Sequence, residues 1–192
     1  MTRRIAGVCG IASQLVALTA LLVAASSSSW FIWTESHLSA LGVEGSTTKL
    51  FNCGLILTGV LSLIFAIGLG KSLLSSRLGQ LGMASLILGS VSISAVGIFP
   101  RTFDLPHDLA SIAFFMFVTL ALFLIGVAAI MASQMIWGLL SLMAGVLIIA
   151  FPLVPWPWSG GAIQQLLSCL SWSLWTIVFG LGLLVRASPV DF

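Results

Sequence analysis

The sequence predicts an all-α membrane protein, a compact bundle of six transmembrane helices with structured outer loops. Three observations carry that expectation. Hydrophobic residues make up 59% of the 192-residue chain and charged residues only 6%, where a soluble domain carries about a quarter. Six apolar runs alternate with short polar breaks, each near the roughly 20 residues that an α-helix needs to cross a bilayer. No Asp, Glu, Lys, Arg or His falls inside any of the runs. Little length remains for a separate soluble domain, so residues 1–192 read as one six-helix unit.

Taken in order, the first span covers residues 5–25. Arg3 and Arg4 precede it and the run ends in Val23-Ala24-Ala25-Ser26, which imitates a signal peptide. The apolar run is longer than a usual signal core and reads as a retained span. A polar segment, 26–49, leads to the second span, 50–70. Lys71, Ser72, Ser75, Ser76 and Arg77 form a tight turn into the third, 78–99. Phe99-Pro100 ends that span, because the residue before proline avoids the α region. A charged loop reaches the fourth span, 109–131. There Pro106 suits a first helical position and Asp108 favours the positive helix end. Ala132-Ser133-Gln134 turns into the fifth span, 135–151. Pro152, Pro155 and Pro157, with Gly160 and Gly161, break the chain before the sixth, 162–185. A short tail, 186–192, follows.

Lysine and arginine set the expected orientation. With the N-terminus inside, Arg3, Arg4, Lys71, Arg77 and Arg186 lie inside, and only Lys49 and Arg101 outside. Both termini are expected in the cytoplasm of a cell with a multi-pass protein in its plasma membrane. Asp191 falls inside and the other acids outside. Trp30, Trp33, Trp156 and Trp158 would mark the outer interface and Trp137 the inner one. The net charge of +2 contains no basic run for a phosphate backbone, so nucleic acid is not an expected partner. Cys9, Cys53 and Cys169 are an odd number without a CxxC, and read as small packing residues.

Packing faces are partly legible. Gly82, Ser85 and Gly89 share one face of the third span, where small residues let another helix approach. Ser168, Trp172, Trp175 and Phe179 form a stripe on the sixth. It reads foremost as a packing seam, and in the second place Trp172 and Trp175 are expected lipid contacts. Gln14, the most polar side chain at depth, reads as a hydrogen bond to a neighbouring helix. Asn52 reads as a ligand for loop backbone that water does not reach.

Glu35, His37, Glu44, Arg101, Asp104, His107 and Asp108 gather both histidines and four of the five acids on the outer side. The plain reading is a solvated loop face. Two histidines and a carboxylate are also a zinc-type donor set, able to activate water, although no HExxH-like spacing supports it and no metal is assigned. His107 is a candidate pH sensor and Arg101 a candidate ligand for a lipid phosphate. Haem or retinal would want a His or Lys inside a span, so no cofactor is expected.

Several stretches together carry a resemblance. They are Phe31-Ile32-Trp33-Thr34-Glu35-Ser36-His37-Leu38-Ser39-Ala40-Leu41-Gly42, the run Leu50-Phe51-Asn52-Cys53-Gly54-Leu55-Ile56-Leu57-Thr58-Gly59, Gly97-Ile98-Phe99-Pro100, and His107 ahead of Phe114-Phe115. In this order they resemble the domain-of-unknown-function 998 family of archaeal and bacterial membrane proteins, the archaeal type above all. The resemblance covers nearly the whole chain and implies a six-span fold in a membrane. It implies no activity. The family pattern usually reads Ser-Asp-Leu-Gly where this chain has Ala40, so any chemistry of that acid is missing here.

Three functions are expected. The leading one is a non-catalytic structural or accessory protein, a small subunit of a larger membrane complex. The second is a binder or transporter of a lipid or small apolar molecule. The third is a membrane-surface hydrolase using the outer His and acid cluster.

Overall fold

The structure is a computed structural model that describes residues 3–73 and 76–185. Ser75, Arg186, Asp191 and the tail 186–192 lie outside the described residues, as do the side chains of Lys71 and Ser72. Six helices, α1 (Arg3–Ser26), α2 (Thr48–Leu73), α3 (Arg77–Ile98), α4 (Leu105–Met131), α5 (Met135–Leu153) and α6 (Ala162–Val185), carry the fold. Short 3₁₀ turns lie at Leu38–Gly42 and Arg101–Phe103. Each of the six is long and apolar enough to cross a membrane. Consecutive helices pack side by side, and α6 returns to pack on α1. The result is a closed ring in chain order. One end, the cap end, carries the segment 27–47 and the loops before α4 and α6. The other, the turn end, carries the end of α2, the start of α3 and the tight α4–α5 turn.

Ring closure depends on small residues. A Cβ on Gly7 would sit 2.6 Å from the carbonyl oxygen of Gly180, and one on Gly180 would sit 3.0 Å from that of Gly7. The two backbones touch, as small-residue pairs permit in lipid, where helices gain nothing from water exclusion. The face of Gly82, Ser85 and Gly89 meets α4: Gly82 lies against Ile125 and Gly89 against Val118. All three are buried.

The ring interior is filled mainly by aromatic and branched side chains. Phe65, Leu86, Val118, Leu122, Ile125, Ile148 and Leu183 are buried there. Trp172 stacks on Trp175 at 5.4 Å between ring centroids, and Trp175 on Phe179 at 4.3 Å. Phe65 meets Trp175 edge-on at 6.1 Å. Such offset and edge contacts suit the ring quadrupoles. The Trp175 indole donates to Ser141 Oγ at 2.8 Å, tying α6 to α5.

Helix ends depart from the expected bounds where local chemistry decides. Helix α4 begins at Leu105, four residues before the apolar run, because Pro106 and Asp108 suit a first turn. Its other end is a Schellman motif: Gln134 N–H donates to Ala129 O at 2.8 Å and Ser133 N–H to Ile130 O at 2.9 Å. Ser133, at φ 62°, takes the place that glycine usually fills. Ser76 caps α3, its Oγ accepting from Gly79 N–H at 2.9 Å.

Helix α5 continues through Pro152 to Leu153. Pro152 leaves one carbonyl without its helical donor, and the helix end leaves others. Ile148 O, which residue 152 would have bonded, accepts from Ser168 Oγ of α6 at 3.1 Å. Phe151 O, in the last turn, accepts from Trp156 Nε1 at 2.8 Å. In lipid no water is at hand to do this.

The cap is a second small core. Leu21, Phe31, Leu41, Phe51 and Ala162 are buried together, with Trp30 and Trp33 packed on them. Gly160 N–H donates to Thr34 O at 2.8 Å and Ala162 N–H to Ser36 O at 2.9 Å. A Cβ on Gly160 would lie 2.4 Å from the Glu35 carbonyl carbon, so only glycine lets the two loops lie together. Asn52 Nδ2 donates to Gly42 O at 2.9 Å, the loop bond anticipated for it.

Candidate functional site

The α3–α4 corner builds the polar end of a cavity. Phe99 ends α3 and Pro100 turns the chain. His107, in the first turn of α4, reaches back so that Nδ1 lies 2.9 Å from Phe99 O. A carbonyl only accepts, so Nδ1 carries the proton. In neutral imidazole Nε2 is then an acceptor, and Ser111 Oγ, one turn along α4, lies 3.4 Å from it. His107 is 5% exposed, so it pins the corner rather than floating in a loop. Asp104 opens α4 at φ 45° and ψ −100°, a strained backbone for a non-glycine residue.

Across the ring, Gln165 of α6 accepts from Leu38 N–H through Oε1 at 2.9 Å. That bond fastens the cap segment to α6 and leaves the Gln165 NH₂ as its open group. Ser39, next in the chain, has a buried hydroxyl without a partner. Between these elements lies a cavity of about 280 Å³ lined by Ser39, Arg101, His107, Asp108, Ser111 and Gln165, with Phe51, Ile93 and Phe114 among its apolar walls.

The cavity borders two other spaces. A groove of about 730 Å³ runs along α4, α5 and α6 and is lined by Met116, Leu120, Phe123, Ile149, Pro152 and Ser168 among others. Ser111, Ile112, Phe115 and Gln165 line both spaces. Deeper in the ring, a small void of about 70 Å³ is lined by Gln14, Thr58, Trp172 and Ser173. It shares Leu38, Phe51, Leu55, Ile93, Phe114 and Cys169 with the cavity above.

Of the residues singled out in the sequence, Arg101, His107 and Asp108 come together at this cavity. Glu35, His37, Glu44 and Asp104 are exposed on the cap and line none of the three spaces. The His37 ring lies against Gly161, across the cap from the α3–α4 corner. Among the described residues no three His, Cys, Asp or Glu side chains group closely enough to hold a metal ion. Trp172 and Trp175 are buried in the ring core; Trp172 lines the deep void and Trp175 a separate crevice between α5 and α6. The three cysteines are free thiols.

Sequence reasoning missed Ser39, Ser111 and Gln165. Ser111 had a signal, its position four residues after His107 on a helix. Ser39 and Gln165 had none, because only the folded cap brings them there.

The chain is a multi-pass membrane protein whose helical ring holds an internal cavity with a polar mouth at the cap end. A family model described as "Protein of unknown function (DUF998)" matches residues 11–182, and the chain belongs to that family. No curated protein and no solved structure matches it.

Proposed function

We propose that this protein binds a membrane phospholipid or similar amphiphile, with its apolar part in the α4–α5–α6 groove and its phosphate toward Arg101. The observation that supports this is the junction of the two spaces. An apolar groove open to the bilayer leads, past Ser111, Phe115 and Gln165, to a cavity bearing Arg101, His107 and Asp108. That is the polarity order of a lipid standing in one leaflet. Arg101 has no carboxylate partner among the described residues, and a guanidinium is well suited to a phosphate. The groove falls within the roughly 300–1,000 Å³ of small-molecule sites.

We place the cap end outside the cell and both termini in the cytoplasm, on the five-to-two excess of Lys and Arg that the order of spans in the sequence puts on the inner side. The plasma membrane is the setting proposed.

Native mass spectrometry of protein extracted from phosphatidylglycerol-containing nanodiscs tests the reading. Ile149→Trp fills the groove, while Ile136→Trp alters a lipid-facing position elsewhere on α5. Wild type and Ile136→Trp are expected to retain one lipid mass per chain, and Ile149→Trp to lose it several-fold. Equal retention in all three would mean annular lipid only and end the proposal. Protein partners at fixed stoichiometry would favour the accessory-subunit reading instead.

A further inference from the structure

Gln14, Thr58 and Ser173 stand near the midpoints of α1, α2 and α6. They meet at the depth where a bilayer is driest. Gln14 is 1% exposed and Thr58 and Ser173 are each 4% exposed. Gln14 Nε2 donates to Ser13 Oγ at 2.8 Å, and Ser13 Oγ donates to Gly10 O at 2.7 Å. Ser173 Oγ donates to Gln14 Oε1 at 2.8 Å. Thr58 Oγ1 bonds Gly54 O at 2.7 Å and approaches Ser13 O at 3.3 Å.

The cluster is incompletely satisfied. A glutamine amide has two N–H donors and two acceptor lone pairs. Gln14 uses one of each, which leaves a buried donor and a buried acceptor. The hydroxyls of Ser173 and Thr58 spend their protons and keep lone pairs. One turn along α2 from Thr58, on the same helix face, Ser62 is 2% exposed and its hydroxyl has no partner. An unmade hydrogen bond in an apolar surrounding costs about 1–3 kcal/mol. A void of about 70 Å³ is bordered by Gln14, Thr58 and Ser173, three of the groups with bonding capacity to spare.

We infer that this void is a water-binding site at mid-membrane depth, holding ordered water that accepts from the free Gln14 N–H and donates to Ser173 and Thr58. A buried water needs two to four polar partners and room for about one water-sized sphere, on the order of 10–15 Å³. The partners are present, and the space of about 70 Å³ is ample for at least one water on that measure. The route in is the cavity under His107, which shares the lining residues Leu38, Phe51, Leu55, Ile93, Phe114 and Cys169 with the void. The inference does not rest on the lipid reading, since it uses a different space and different side chains.

Radiolytic hydroxyl-radical footprinting in nanodiscs tests it, because radicals form from water in place. Trp172 and Cys169 border the void, whereas Trp175 is similarly buried but borders a mostly apolar crevice. In wild type, Trp172 is expected to oxidise several-fold faster than Trp175. Gln14→Leu removes the donor and fills the space, and is expected to bring Trp172 down to the Trp175 rate. Should Gln14→Leu fail to fold, Ser173→Ala removes the other partner at little steric change and is expected to lower the Trp172 rate in part. A wild-type Trp172 rate no higher than that of Trp175 overturns the inference. So does a high Trp172 rate that neither substitution lowers.

Discussion

Replacing Ser168 with alanine isolates a single hydrogen bond whose necessity follows from a proline. Pro152 has no N–H, so Ile148 O depends on Ser168 Oγ at 3.1 Å. Ser168 is 0% exposed, and no water replaces it at once. Side-chain hydrogen bonds between transmembrane helices average about 0.6 kcal/mol and reach about 1.7. Leaving an acceptor orphaned adds to that loss, and the usual range is about 1–3 kcal/mol. Ser168→Ala is therefore expected to destabilise by about 1–2 kcal/mol. In a Pro152→Ala background the helix supplies its own N–H to Ile148 O. There the same Ser168→Ala change is expected to cost about 0.5 kcal/mol or less, a coupling near 1 kcal/mol. Reversible unfolding in mixed micelles, across the four proteins of the cycle, measures it. An equal Ser168→Ala cost in both backgrounds would refute the view that the hydroxyl substitutes for the missing proline N–H.

Two further outcomes follow from the same geometry. Gly180→Leu drives a side chain into the Gly7 carbonyl and should destabilise by about 1–3 kcal/mol or more, seen as a lowered unfolding midpoint in micelles. His107→Phe keeps the bulk at the α3–α4 corner but leaves Phe99 O without its donor. A loss of about 1 kcal/mol is expected, while His107→Asn, which keeps a donor, should lose less in the same unfolding assay.

The six spans were legible because apolar length and charge placement decide a membrane span almost alone; their closure into a ring was not. The helix ends were less legible. Helix α4 gains its first turn from Pro106 and Asp108, and hydropathy is blind to that. Helix α5 outlasts Pro152 only because Ser168 of another helix covers the exposed carbonyl. The face of Gly82, Ser85 and Gly89 was readable as a packing seam, since its spacing is helical, but its partner α4 was not. Gln14 was readable as an interhelical bond; its partner Ser173 is 159 residues away and left no local trace. At the cavity, residue type alone pointed to Arg101, His107 and Asp108. Glu35 and His37 share that chemistry, yet the cap turns them toward Gly160 and Gly161 and away from the mouth.

The contact between α1 and α6 also bears on how the protein is made. Ser173 is synthesised 159 residues after Gln14. At about 5–20 residues per second, the interval is on the order of ten seconds. Until α6 inserts, the ring is an open arc whose free edge on α1 shows Gln14 and the bare backbone around Gly7. Assembly therefore has a fixed last step, and an escort in the membrane that shields α1 would have the most to do just before it.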